Sequence, residues 1–283
     1  MKVLITGAGG QLGKELIQLF TMWGYNVCSY SRNQLDITNY IEVKKILKRD
    51  QPDILINTAA FTKVDLCETE PEQAYLVNAI GAYYLACQAK EIKAKFFHIS
   101  TDYVFDGEKY EPYTEEDLTR PKTIYGRSKE LGEVLALAAY QDTTVIRTSW
   151  LYGHEGSNFV NTIKQLASWV KEIRVVSDQY GCPTYTKDIG FALKQLLTKP
   201  SGIYHISNYG SCSWFEFANE ILKISNAKVR VIPVSSEEYG SKTPRPMYSV
   251  LSSGKINSNG IFLREWKESL HEYLVKEEDK DEY

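Results

Sequence analysis

A chain of 283 residues, 43% hydrophobic and 24% charged, has the composition of an ordinary globular protein with one large domain or two modest ones. Its net charge of −3 gives no electrostatic basis for binding nucleic acid or an anionic membrane. No apolar run reaches the length of a membrane span, and the opening MKVLITGAGG lacks the long apolar core of a signal peptide. Five scattered cysteines without a CxxC fit reduced thiols in a cytoplasm. The histidines, His98, His154, His205 and His271, are isolated from one another, so no metal site is expected.

KVLIT (2–6) is a short apolar run closed by glycines and reads as a buried strand. A helix follows over 10–22, with Leu12, Leu16, Leu19 and Phe20 on one face. The alternation continues with a strand at 25–30, a helix at 40–50 and a strand at 53–57. A long helix over 71–93 opens on Pro71, a residue suited to the first helical turn. A strand at 95–100, a helix at 124–139 and a strand at 143–149 complete the series. Strand-helix alternation at this spacing predicts an α/β fold, a doubly wound parallel sheet of the Rossmann type. Beyond Trp150 the pattern loosens: helices at 157–170, 187–198 and 214–224, strands near 173–176, 203–206 and 229–232, and a loop over 233–249. This half reads as a smaller α/β cap over one edge of the sheet. The last eight residues, KEEDKDEY, are charged and expected to fray.

The first strand and first helix are joined by ITGAGGQLGKEL, with glycines at Gly7, Gly10 and Gly13. A glycine loop in this context lets the backbone turn tightly and approach a pyrophosphate at the helix N-terminus. The second strand ends at Ser31 and Arg32 rather than at an acid. A hydroxyl and a guanidinium suit a 2′-phosphate, which favours NADP(H) over NAD(H), the second option; Arg32 as a plain surface charge is the alternative. Asp36 lies further on, better placed for the adenine than for the ribose.

HISTDYVFDG (98–107) follows the fourth strand, and a strand's carboxyl end is where ligands sit in such a sheet. In TIYGRSKELGE (123–133), Tyr125 and Lys129 stand one helical turn apart. Tyr40 and Lys44 share that spacing, so the spacing alone is weak. Only the later pair has a partner at a strand end, Thr101, and together these make a hydroxyl–tyrosine–lysine set.

The segments GAGGQLG, LDIT, NTAAFTKVD, STDYVFDG, YGRSKELGE, RTSWLYG, DQYGCPT and RPMYS occur in this order from residue 7 to 249. With them the chain resembles the extended branch of the short-chain dehydrogenase/reductase family, and within it the reductases of dTDP-4-dehydrorhamnose. Tyr103 after Asp102, where related dehydratases carry an acid, weighs against a dehydratase. The resemblance implies NADPH-dependent reduction of a dTDP-linked 4-keto sugar at C4, giving dTDP-L-rhamnose. In that role Tyr125 donates the proton, Lys129 and the positive nicotinamide ring of the oxidised cofactor lower the phenol pKa, Lys129 also holds the nicotinamide ribose, and Thr101 faces the nicotinamide and positions the carbonyl. Implied cofactor contacts are Gly10, Gln11 and Leu12, then Asp36 and Ile37, then Ala60, Phe61 and Thr62. Implied substrate contacts are Asp102 and Trp150; Trp150 would stack on the sugar, wall the pocket or simply be core. Arg245 reads equally as a pyrophosphate clamp and as a surface ion pair.

These expectations divide the chain into a cofactor domain at 1–152, rejoined by segments near 178–200 and 233–245, and a mainly substrate-binding domain at 153–283. Glu15 and Asp188 offer too few acids for a bridging metal, leaving a monomer or a homodimer. The competing readings are a reductase or epimerase-reductase for another nucleotide sugar, and a catalytically silent regulatory subunit of the methionine adenosyltransferase type. An intact Thr101, Tyr125 and Lys129 argues against silence.

Overall fold

The computed structural model describes residues 1–281, with side chains through Val275. Of the tail 276–283, expected to fray, the side chains and the last two residues lie outside the described residues. One six-stranded parallel sheet organises the chain. Its strands are β1 (Lys2–Thr6), β2 (Asn26–Tyr30), β3 (Ile54–Asn57), β4 (Lys95–Thr101), β5 (Thr143–Thr148) and β6 (Gly202–His205). They run in the order β6-β5-β4-β3-β1-β2. The sequence order reverses between β1 and β3, so a crevice opens there beyond the strand ends.

The central strands β1 and β3 are nearly continuous apolar runs because both their faces are covered. Alternate residues point to opposite sides. Val3, Ile5, Ile54, Ile56 and Phe97 join the core beneath the Gln11–Met22 and Thr186–Leu196 helices. Leu4, Leu55 and Phe96 join the other, against the Tyr40–Asp50 and Ala82–Ile92 helices. A third core belongs to the smaller unit. There Phe217, Ile221, Trp266, Leu270 and Tyr273 pack together, and Arg230–Val234 pairs in parallel with Glu172–Val176.

The expected first-half elements form within a residue or two at each end. The long helix is modified: an α-helical turn at Pro71–Tyr75 passes through a π-helical stretch, Leu76–Gly81, before resuming at Ala82–Ile92. The helices Val64–Thr69, Ser236–Tyr239, Gly254–Ser258 and Trp266–Asp281 were not expected, and the second lies in the supposed loop. Two of the proposed boundaries shift as well. The segment returning to the large sheet extends past 200, because Gly202–His205 pairs with β5. The 233–245 segment begins instead on the smaller unit, because Pro233 and Val234 pair with Val175 and Val176; the return comes later, through Ile256 and Ile261. Among the described residues no helix is long and apolar enough to cross a membrane.

Candidate active site

The glycine loop fills the crevice after β1. Gly7 has φ +72°, and a Cβ on it would lie 2.5 Å from the Ala59 nitrogen. A Cβ on Gly13 would lie 2.3 Å from the Gly7 carbonyl oxygen, so these two glycines are demanded by the fold. Gly9, absent from the predicted contacts, differs: a Cβ there would meet nothing within 4 Å, and the backbone borders a cavity. That open face leaves room for a ligand to approach the main chain.

Two cavities share Gly10, Thr58 and Ala60 and form one trough along the carboxyl edge of the sheet. The outer one, about 260 Å³, is lined by Gly7, Ser31, Arg32, Asp36, Ile37 and Phe61. Arg32 is exposed at its rim, while the Ser31 hydroxyl donates to Gln34 at 2.8 Å. The inner one, about 460 Å³, holds Gln11, Leu12, Gly13 and Thr62 together with Thr101, Asp102, Tyr125, Lys129, Trp150 and Arg245. The structure therefore gathers every predicted site residue into a single trough. An exposed guanidinium at one end, bare backbone in the middle and a buried amine at the other fit a phosphorylated dinucleotide.

Tyr125 sits in the first turn of the Ile124–Ala139 helix, whose N-cap Thr123 accepts from the Gly126 amide at 3.0 Å. The Tyr103 ring packs edge-on to it at 5.4 Å. One turn later Lys129 is 2% exposed and donates to the Ile99 carbonyl at 2.5 Å. Burial pushes the Lys129 pKa down to about 8, with Glu133 pulling upward. Burial pushes the Tyr125 phenol well above its ordinary value, although the Thr101 hydroxyl lowers it. Desolvation dominates, and the Lys129 amine is turned to a backbone carbonyl.

Asp102 follows Thr101 in a 3-10 turn, Asp102–Val104, and is 2% exposed. Its Oδ1 accepts from the Thr101 hydroxyl at 3.0 Å, whereas its Oδ2 is buried without a hydrogen-bond partner. Burial raises its pKa to about 6, against the nearby hydroxyls of Ser249 and Thr101. The native state therefore holds a proton that the unfolded chain, with a carboxyl near ~3.9, has already released. Stability present below about pH 4 is lost as pH rises through about 6. We expect wild type to lose on the order of 2–3 kcal/mol relative to Asp102→Asn across that window. Thermal melts of both proteins in matched buffers check this, and a pH-independent difference refutes it.

Arg245 lines the inner cavity. It pairs with Asp65 at 2.9 Å and approaches the Tyr103 hydroxyl at 3.5 Å, so the ion-pair reading and the cleft position hold together. Trp150, just past β5, has φ +48°, a left-handed conformation costing of order 1–3 kcal/mol in a non-glycine residue. Its indole stacks on that of Trp214 at 3.4 Å and 6°. Trp214, Gln179 and Ser249 line the same cavity and were missed. Gln179 lies within the quoted DQYGCPT, but nothing in the sequence marks Trp214.

Asn78, in the π-helical stretch, accepts from the Phe61 amide at 2.8 Å and donates to the Phe61 carbonyl at 3.1 Å. Its amide also donates to Ser128 at 2.9 Å, and Ser128 donates to the Tyr125 carbonyl at 2.8 Å. One side chain thus ties the 60–62 loop to the Tyr125 helix. The wide turn that carries it is a feature often found beside functional sites. Asp188 is bound by Arg264 at 2.6 Å, and Glu15 accepts from Thr186 at 3.2 Å. Among the described residues no group of His, Cys, Asp and Glu is arranged to hold a metal ion.

The family profile described as RmlD substrate binding domain matches residues 1–278. The chain is 53% identical over 273 residues to the spore coat polysaccharide biosynthesis protein SpsK of Bacillus subtilis (strain 168), covering 96% of each. It is 41% identical over 281 residues to a dTDP-4-dehydrorhamnose reductase of Mycolicibacterium smegmatis, covering 97% of this chain and 85% of that one. A crystal structure of dTDP-4-dehydrorhamnose reductase from Bacillus anthracis str. Ames in complex with NADP superposes with a TM-score of 0.95 at 42% identity, over 97% of this chain and 99% of the other.

Proposed function

The chain belongs to the RmlD substrate-binding family, and from that premise we propose that it is an oxidoreductase that reduces the C4 keto group of dTDP-4-dehydro-L-rhamnose with NADPH, giving dTDP-L-rhamnose. One observation carries the reading: Thr101, Tyr125 and Lys129 share a cavity with the glycine loop at the carboxyl edge of the sheet. The NADP-bound neighbour supports NADPH as the preferred cofactor, with NADH the weaker one.

A bound NADPH supplies the hydride. The protein's own residues do the rest. The Thr101 hydroxyl, turning from Asp102 Oδ1 to the keto oxygen, holds it, and Tyr125, kept protonated by burial, passes its proton to that oxygen as it becomes an alkoxide. Lys129 provides the nearby positive charge that favours the phenolate left behind. The free Asp102 oxygen accepts from a sugar hydroxyl, and Arg245 meets the diphosphate. Cofactor contacts fall to Gly7, Gly10, Gln11, Leu12, Gly13, Ser31, Arg32, Asp36, Ile37, Ala60, Phe61 and Thr62. Residues 1–152, rejoined by the Thr186–Leu196 helix, the Gly202–His205 strand and the stretch around Ile256 and Ile261, make up the cofactor-binding part, and the rest of 153–283 mainly the substrate-binding part.

A relative 35% identical over 271 residues is named a dTDP-4-keto-6-deoxy-D-glucose reductase. That favours, as a second reading, another 4-keto sugar on the same carrier. A panel of nucleotide-linked keto sugars, followed by NADPH absorbance, separates the two. Highest turnover with dTDP-4-dehydro-L-rhamnose is expected; turnover of a different sugar alone moves the assignment to the second reading, and none at all overturns a reductase. In the same assay Arg32→Ala is expected to weaken NADPH about tenfold or more and NADH hardly at all, as loss of one charge-assisted phosphate contact implies. Equal losses refute the phosphate-reading role.

A further inference from the structure

Trp150 is held from both sides. Trp214 covers one face of its indole, with ring centres 3.4 Å apart and planes within 6°. On the other side lies Gly181. A Cβ built there would stand 2.4 Å from Cε2 of Trp150, 2.6 Å from Nε1 and 2.7 Å from Cζ2. Distances that increase outward from a ring-fusion carbon belong to a point above the ring, not beside its edge. Trp214 already fills the first face, so the glycine backbone occupies the second.

We infer that Trp214 is a positioning residue that, with Gly181, clamps Trp150 so that a sugar meets its edge and not its face. A face-stacked sugar, one of the roles expected of Trp150, has no face left to use. The clamp is built into the smaller unit: Trp214 begins the helix Trp214–Ile224 and packs on Phe159 at 4.5 Å. Gly181 has an ordinary φ, so the requirement at 181 is for lack of bulk. A fixed aromatic edge makes a narrow rim with a defined position, which discriminates ring substituents better than a mobile indole. Both tryptophans border the cavity that holds Thr101, Asp102 and Tyr125, so the rim faces the site of reduction.

The inference rests on the proposed keto-sugar reaction, and the test separates the two. Wild type, Trp214→Ala, Trp214→Phe and Gly181→Ala are compared for kcat and KM with dTDP-4-dehydro-L-rhamnose, for NADPH affinity, for melting temperature and for the near-ultraviolet dichroism of stacked indoles. Trp214→Ala and Gly181→Ala are expected to raise KM about tenfold or more, leave NADPH affinity within twofold and abolish the indole couplet. Trp214→Phe, which restores a covering ring, is expected to recover most of the loss in KM. A KM within twofold of wild type in folded Trp214→Ala overturns the inference. So does a proportional loss of NADPH affinity. If wild type does not turn over the keto sugar, the reaction is wrong, and calorimetric affinity for dTDP-glucose in the same variants decides the clamp by the same criteria.

Discussion

Tyr125→Phe is expected to lower kcat by about 10³ while NADPH affinity stays within twofold. General acid catalysis by a positioned side chain is worth roughly 10²–10⁴ in rate, and neither predicted partner of the phenol is placed to replace it. Thr101 has a hydroxyl but already donates to Asp102. Lys129 is committed to the Ile99 carbonyl. The substitution removes one oxygen and keeps the ring, so the edge contact with Tyr103 survives and the variant should fold. The raised phenol pKa suits the reductive direction, in which the acid must begin protonated. Initial rates from NADPH absorbance and cofactor titrations of the folded variant check both halves. A variant that turns over at the wild-type rate removes Tyr125 as the proton donor.

The largest loss of stability is expected from Glu133→Ala, on the buried side of the Ile124–Ala139 helix. Arg147 on β5 donates to Glu133 through Nε at 3.1 and 3.2 Å and through Nη2 at 2.7 Å, with both side chains 3% exposed. Ser100 donates to the same carboxylate, and the guanidinium lies over Phe105 at 5.1 Å. Removing one member of such a pair leaves a desolvated charge and costs about 3–5 kcal/mol, or a melting shift of roughly 10 °C in a chain of this size. Replacing both residues by apolar ones, Glu133→Leu with Arg147→Met, is expected to restore most of the loss, because the desolvation of two charges disappears with them. Urea denaturation of the single and double variants measures it. A single variant within 1 kcal/mol of wild type (by the approximate scale above, ~1 against about 3–5) refutes the unpaired-charge argument.

The large sheet was legible because its strands are buried on both faces and its helices are one-sided, so each left a distinct period in the sequence. Thr101, Tyr125 and Lys129 were legible because two lie one turn apart and the third ends a strand. The smaller unit wrote weaker signals. Pairings such as Leu151–Tyr152 with Thr184–Tyr185 involve two residues on each side, too few to display alternation. The helix beginning at Trp266 does carry a stripe, Trp266, Leu270, Tyr273 and Leu274, but the charged run behind it conceals the period. Trp214 was invisible for a different reason: its partner Trp150 lies 64 positions earlier by residue number, and no local pattern records a contact made across the fold.

The link from Phe61 through Asn78 and Ser128 to Tyr125 divides the trough into two kinds of ground for redesign. Residues 60–62 are wired to the reacting centre, so changes there will disturb the chemistry along with the ligand. Ser31 and Arg32 border the outer cavity alongside Phe61, yet neither belongs to that hydrogen-bonded link. Under the proposed reaction, nucleotide preference is expected to change through Ser31 and Arg32 without retuning the proton donor.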